Sequence, residues 1–107
     1  MKKKLNRTDA QGLKQGLWEE RWEHNGNISS KGSYLDGKKT GVWEEYFHNG
    51  NLSWKGSFLK GEQRGLYEAY WNNGNFMCKG SYLNNKRIGT WEWYNEDENL
   101  IKTTYYH

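Results

Sequence analysis

The sequence repeats itself with a period of about 24 residues, and this period constrains the fold more than any other feature. Gly16, Gly41, Gly65 and Gly89 lie 25, 24 and 24 residues apart. Aligned on these glycines, the chain divides into four units, at residues 16–40, 41–64, 65–88 and 89–107. Periods of this size are typical of proteins in which each unit packs on its neighbours. We therefore predict one repeat domain over residues 11–107, preceded by an arm or a degenerate cap at residues 1–10.

Each of the first three units carries the sequence of a β-hairpin. The same turn dipeptide recurs at a fixed place in them, at Asn25-Gly26, Asn49-Gly50 and Asn73-Gly74. Asn-Gly between alternating segments is the strongest short-range signal for a two-residue type I′ turn. Repeated glycines speak against helices, since each costs a helix about 1 kcal/mol. The sequence predicts an all-β fold, a single twisted antiparallel meander of four tandem hairpins.

The turn also predicts a register. With a two-residue turn at Asn49-Gly50, Glu44 faces Lys55 and Trp43 faces Gly56. Opposite charges then pair directly, and a large ring lies over a glycine that leaves its strand unprotected.

The first and last units depart from this pattern. Unit one has one extra residue between Trp18 and Asn25, which indicates a longer loop or a bulge. Unit four has Asp97-Glu98 in place of Asn-Gly, which predicts a looser hairpin. Deviating terminal units are expected in repeat proteins, because they cap the stack.

Aromatic residues must supply the core. The chain has seven tryptophans and eight tyrosines but few aliphatic residues, and its net charge is only +3. Each buried aromatic side chain removes about 150–250 Å² from water, so rings can replace the missing aliphatics.

The recurring pattern G-x-W-x-x-Y-x-x-N-G-x-L, followed by K-G-x-Y-x-x-G, resembles the MORN repeat in the variant common in small bacterial proteins. The resemblance extends from Gly12 to Tyr106 and implies an extended twisted sheet of hairpins. Similar bacterial proteins are often classed as antitoxin-like or as interaction modules. Eukaryotic MORN proteins look like scaffolds, some of them associated with membrane lipids.

No motif in the sequence predicts catalysis, so we do not expect an enzyme, a metal site or a cofactor. His24 and His48 occupy corresponding places beside the turns, where unit three has Asn72. They are therefore interpreted as turn residues. Cys78 is a lone cysteine without a basic motif that would lower its pKa.

Positions that differ between units are free to bind a partner. Trp54, Trp71 and Trp93 stand where other units have smaller or polar residues. Since a single small sheet has little to cover both faces, we expect at least one exposed tryptophan. The predicted partner-binding residues are Trp22, Glu45, Phe47, Trp54, Trp71 and Trp93.

The favoured function is binding and neutralising or regulating a partner protein, through an aromatic sheet face or an open edge. Nucleic-acid or nucleotide binding is the first alternative, because rings can stack on bases while basic residues near the turns contact phosphates. Those basic residues are Lys38, Lys39, Arg64, Lys86 and Arg87. Self-assembly into a scaffold through the sheet edges is the second alternative. Without an apolar run after Met1-Lys2-Lys3-Lys4, no signal peptide is predicted, and we expect a cytoplasmic protein.

Overall fold

The computed structural model describes residues 5–107, which form one antiparallel sheet in which each strand pairs with the next along the chain. The strands are β1 (Arg7–Thr8), β2 (Lys14–Arg21), β3 (Ile28–Leu35), β4 (Lys38–Tyr46), β5 (Leu52–Leu59), β6 (Glu62–Tyr70), β7 (Phe76–Leu83), β8 (Lys86–Tyr94) and β9 (Leu100–Tyr106). No helix occurs within residues 5–107. The predicted all-β meander of hairpins is confirmed, with the four hairpins β2–β3, β4–β5, β6–β7 and β8–β9.

The Asn-Gly turns of units two and three are three-residue loops, and the prediction of a type I′ turn at the Asn-Gly positions is wrong. The Phe47 N–H donates to the Asn51 carbonyl (2.8 Å), and the Gly50 N–H donates to the Phe47 carbonyl (3.0 Å). Gly50 has a φ of 91°, whereas Asn49 is not among the residues with positive φ. A type I′ turn needs positive φ at both central residues, so the loop instead has the form of a turn followed by a glycine bulge.

The type I′ turns lie at the opposite end of the sheet, between the units. Asp36-Gly37, Lys60-Gly61 and Asn84-Asn85 are two-residue connections in which both residues have positive φ. Glycine, asparagine and aspartate tolerate this conformation best, so five of these six residues suit it. The sheet thus has a two-residue-turn end and an Asn-Gly end.

The turns of the first and last units keep the same scheme. In unit one, the Trp22 N–H donates to the Asn27 carbonyl (2.8 Å), so the extra residue lengthens the loop by one. In unit four, the Glu98 N–H donates to the Asn95 carbonyl (3.0 Å), and Glu98 takes a φ of 63° in the place of Gly50. The hairpin of unit four thus keeps the turn geometry of the other units although it lacks Asn-Gly.

The predicted register is confirmed, but the ring of Trp43 covers a different glycine. Trp43 pairs with Gly56 and Glu44 with Lys55 in the ladder. The indole leans instead over Gly32 on the preceding strand, where an added Cβ would lie 2.1 Å from the ring. From there its N–H donates to the Ser33 carbonyl (2.9 Å), a partner that a buried indole needs.

The same packing recurs in unit four, where Trp91 leans over Gly80 and its N–H donates to the Ser81 carbonyl (3.1 Å). In unit three the smaller ring of Tyr67 approaches Gly56. These rings therefore join each unit to the one before it.

Asparagine side chains join the units at the Asn-Gly end. The amides of Asn49 and Asn51 both donate to the Asn72 carbonyl, each at 2.9 Å. Equivalent pairs bind the next turn in the other units: Asn25 and Asn27 to the His48 carbonyl, and Asn73 and Asn75 to the Glu96 carbonyl. The motif Asn-Gly-Asn is thus a clamp between neighbouring turns as well as a turn.

The first described residues form a cap on β2. Within the range predicted as an arm or a cap, Arg7 and Thr8 pair with Gln15 and Lys14. The Asn6 side chain accepts from the Glu19 N–H (2.8 Å) and donates to the Glu19 carbonyl (3.0 Å). Residues 1–4 lie outside the described part of the chain.

We predict that Gly80→Ala destabilises the protein far more than Gly56→Ala. A Cβ at position 80 would lie 2.2 Å from the Trp91 ring, whereas one at position 56 would lie 3.1 Å from the Tyr67 ring, which can shift. Overpacking of this kind costs about 1–3 kcal/mol, and we expect Gly80→Ala at the upper end and Gly56→Ala below about 1 kcal/mol. Urea unfolding of both variants measures the difference, and equal losses would contradict the ring-over-glycine packing.

Candidate interaction surfaces

The sheet has two faces with different chemistry. The tryptophan face carries Trp18, Trp43, Trp54, Tyr67, Ala69, Cys78, Trp91 and Trp93, which contact one another or occupy the same register rows. Residues that alternate with these along the strands point to the opposite side. We call that side the leucine face, after Leu17, Leu35, Val42, Leu59, Leu66 and Leu83.

The core lies on the tryptophan face. Trp91 is fully buried, and Ala69 and Cys78 are buried beside it. In the ladder, Trp54 pairs with Ala69 and Trp93 with Cys78, so two large rings flank two small residues. The Trp54 ring also stacks on Tyr67, and the Trp93 ring on Trp91. Trp54 and Trp93 are therefore half-buried packing partners of the core.

Four cationic side chains lie over the rings of the tryptophan face. Lys14 lies 4.7 Å from the Trp18 ring, Lys39 lies 4.7 Å from Trp43, and Arg87 lies 5.0 Å from Trp91. Lys102 lies 5.5 Å from Trp93. Such contacts are favourable, and the aliphatic stems of the cations also cover apolar surface.

The five basic residues predicted to contact phosphates do not form one cluster. Lys39 and Arg87 lie over aromatic rings, and Arg87 remains exposed there. Lys38, Arg64 and Lys86 are exposed as well. Lys38 and Lys86 directly follow two-residue turns, and each precedes in sequence one of the ring-covering cations. Because neighbours in a strand point to opposite sides, Lys39 and Arg87 lie on the tryptophan face, whereas Lys38 and Lys86 lie on the leucine face.

The remaining predicted binding residues lie toward the Asn-Gly end. The Trp22 ring stacks on His48, with centroids 3.9 Å apart, and the Trp71 N–H donates to the Tyr94 carbonyl (3.2 Å). Phe47 forms the turn hydrogen bonds, and Glu45 pairs with Trp54. All six predicted residues are half-buried, and no tryptophan is among the exposed apolar residues of the described chain. The expectation of an exposed tryptophan is therefore not met.

The exposed apolar side chains are mostly on the leucine face. Leu66 is 60% exposed, Leu35 61% and Val42 51%. They form two rows across the strands. One row follows the first three repeat glycines (Leu17, Val42, Leu66), and the other precedes each two-residue turn (Leu35, Leu59, Leu83). This surface is not among the predicted binding sites, although the alternation of these residues with the tryptophans signals it.

A ladder of alternating charge runs beside the first row. Its successive cross-strand partners are Glu19, Lys31, Glu44, Lys55, Glu68, Lys79 and Glu92. Lys31 lies 3.7 Å from Glu44, and Lys79 lies 3.9 Å from Glu92. The Tyr46 hydroxyl makes the largest contribution to the raised pKa of Lys31, and the Glu44 carboxylate raises it further.

Shallow grooves separate the residues of the apolar row. One groove of 320 Å³ lies between Leu17 and Val42 and has Ser33 in its lining. Another of 180 Å³ lies between Val42 and Leu66, with Ser57 in its lining. The grooves recur from one unit to the next and are bordered by the charge ladder.

Cys78 is buried, whereas His24 and His48 lie at the surface beside the turns. Burial raises the pKa of the Cys78 thiol, which disfavours the nucleophilic thiolate. His24 and His48 are exposed and adjacent, with ring nitrogens 3.1 Å apart. Within residues 5–107, no group of three or more His, Cys, Asp or Glu side chains is placed to hold a metal ion. The same residues include no helix able to span a membrane.

A sheet built only of stacked hairpin units, with a packed face and an open face, defines a β-hairpin repeat protein. The family model described as the MORN repeat variant matches residues 39–59 and 87–107. These two segments therefore carry MORN repeats, and the resemblance predicted from the sequence is confirmed there. MORN repeats are generally protein- or membrane-binding motifs, and the family is not a known enzyme family. No curated protein matches the chain.

We predict that Tyr67 limits stability at alkaline pH. Burial raises the pKa of its hydroxyl to about 12. The folded protein therefore keeps a proton that the unfolded chain loses above pH ~10, so stability falls as the pH rises from about 10 to 12. Urea unfolding across this range should show a shallower decline for Tyr67→Phe. Tyr105→Phe is the control, because its ring is 64% exposed, and an equal change in both variants would contradict the prediction.

Proposed function

We propose that this MORN-repeat protein is a non-enzymatic binding protein that neutralises or regulates a partner protein, as an antitoxin does. The observation that supports this most is the leucine face, where rows of exposed Leu and Val side chains alternate with grooves beside a charge ladder. Contiguous apolar surface rimmed by charge is typical of interaction sites. The antitoxin-like role is supported by the resemblance to small bacterial MORN proteins.

The proposed contact is an amphipathic helix of the partner that crosses the strands. Successive grooves are one hairpin apart, which is two strand spacings, or about 9.6 Å. Two turns of a helix rise about 10.8 Å, so apolar residues at positions i and i+7 fit neighbouring grooves. A groove of 180–320 Å³ accommodates one or two apolar side chains. The alternating Glu and Lys residues of the ladder suit a helix that carries both charges along its flank.

The tryptophan face is the second candidate surface of the same function. Trp22, Trp54, Trp71 and Trp93, with Glu45 and Phe47, are half-buried there. A partner on this face would have to displace or contact the cations that lie over the rings. The Leu and Val side chains of the leucine face are already exposed, and for this reason we place the main contact there.

We predict that Val42→Asp weakens partner binding by about 2 kcal/mol, the loss expected of a hot-spot residue. Val42 borders both grooves and is 51% exposed, so the variant should remain folded. The partner is captured from the source cell with immobilised wild-type protein, identified by mass spectrometry, purified and titrated against each variant. Val42→Thr, which introduces the residue found at the equivalent Thr90, is the control and should bind nearly as well as the wild type.

Trp54→Phe separates the two faces. Normal binding by Trp54→Phe together with loss in Val42→Asp supports the leucine face, and the reverse result moves the site to the tryptophan face. Salt-sensitive retention on heparin without a protein partner would favour the nucleic-acid alternative instead. For the antitoxin-like role, the captured partner is expressed alone and with this protein. Growth restored by the wild type but not by Val42→Asp is the expected result.

A further inference from the structure

The two edges of the sheet, β2 and β9, differ in how far their outward-facing backbone groups are covered. At the β2 edge, Arg7 and Thr8 pair with the start of the strand. The Asn6 N–H donates to the Leu17 carbonyl (2.9 Å), and its side-chain amide bonds both the N–H and the carbonyl of Glu19. Backbone groups that would otherwise accept a foreign strand are therefore occupied from Lys14 to Glu19. Natural sheets commonly protect an edge in this way.

The β9 edge has no such cover within residues 5–107, where β9 pairs only with β8. Its sequence, Leu100-Ile101-Lys102-Thr103-Thr104-Tyr105-Tyr106, is rich in β-branched and aromatic residues and contains no proline or acidic residue. Ile101 is 63% exposed and Tyr105 64%. An uncovered, apolar edge strand is a template for pairing with another strand.

The β9 edge is not shaped to receive a further hairpin of the same repeat. Thr104 stands where Gly32, Gly56 and Gly80 receive the ring of the next unit. Thr103 stands where Lys31, Lys55 and Lys79 meet the next glutamate. Asp97 replaces the first asparagine of the clamp. With the opposite edge capped, head-to-tail stacking of copies is disfavoured at both ends.

We propose that β9 pairs antiparallel with β9 of a second copy, in a closed dimer whose two-fold axis passes beside Thr103. Thr103 is the midpoint of Leu100–Tyr106, so this register pairs the whole strand. Each Ile101 then lies opposite Tyr105 of the other copy, a favourable β-branched–aromatic pair, and Lys102 lies opposite Thr104. The register centred on Lys102 would oppose two ammonium groups. An isologous contact uses one edge twice and closes at two copies.

The dimer would be one continuous sheet, because antiparallel neighbours related by this axis keep the same face on the same side. The two leucine faces then form one surface with two equivalent sites. A partner with two helices, or a dimeric partner, would bind both sites at once and gain from the high effective concentration. This last consequence rests on the proposed function, whereas the pairing of β9 does not.

The purified protein alone tests the pairing. Light scattering after gel filtration should give the mass of a dimer that dissociates on dilution. Under mild oxidation, Thr103→Cys should form a covalent dimer, because opposed residues in antiparallel strands have Cα atoms about 4.5–5.5 Å apart, within disulfide range. Thr90→Cys, on the neighbouring inner strand, should not cross-link. The wild-type protein is the control for cross-linking through its own cysteine, Cys78, which is buried.

Thr103→Lys tests the register without harming the fold. The new lysine faces Glu92, as Lys79 does from the other side, so the monomer should stay folded. At the dimer axis, however, two lysines would meet, and the variant should be monomeric with an unchanged or higher melting temperature. A monomeric wild type at all concentrations, a dimeric Thr103→Lys, or cross-linking of Thr90→Cys equal to that of Thr103→Cys would each overturn the proposal.

Discussion

An indole ring that lies over a glycine of the preceding strand is the contact on which the rest of this sheet depends. Trp43 over Gly32 and Trp91 over Gly80 fill the space that a side chain would occupy, and each indole N–H binds a carbonyl of that same strand. A single sheet has no second layer to bury its apolar surface. Large rings that lie flat on the backbone provide that layer from within the sheet, which explains how a chain with few aliphatic residues folds.

The sequence predicts the ladder within each hairpin but not the direction in which the rings lean. Glu44 opposite Lys55 and Trp43 opposite Gly56 follow from pairing chemistry, and both are confirmed. Trp43, however, lies between two glycine-bearing strands. The ring leans toward Gly32, where the pairing of β3 and β4 is irregular and the Ser33 carbonyl accepts from the indole N–H. Such a placement depends on the three-dimensional backbone and has no signal in the spacing of residues.

The type of the Asn-Gly turns and the position of the candidate surface could not be predicted from the sequence either. Asn-Gly suits either a type I′ turn or a loop that ends in a glycine bulge, and the clamp formed by Asn49 and Asn51 on the next turn accompanies the second form. The sequence predicts binding at positions that differ between units, whereas the leucine rows recur from unit to unit. A recurring position, however, also fits a binding surface that is repeated in every unit. Exposure depends on which face the rings and cations cover, and this became visible only with Lys39 and Arg87 in place.

The meander order itself has a consequence for how the chain behaves as a polymer. Every strand pairs only with its neighbours in sequence, so distant parts of the chain need not find each other before structure forms. Local pairing of this kind favours fast folding and lets order spread from hairpin to hairpin. For the same reason, the number of units can change without changing the edges of the sheet. Duplication of one inner 24-residue unit would extend the leucine face by one more groove and leave the β2 and β9 edges unchanged.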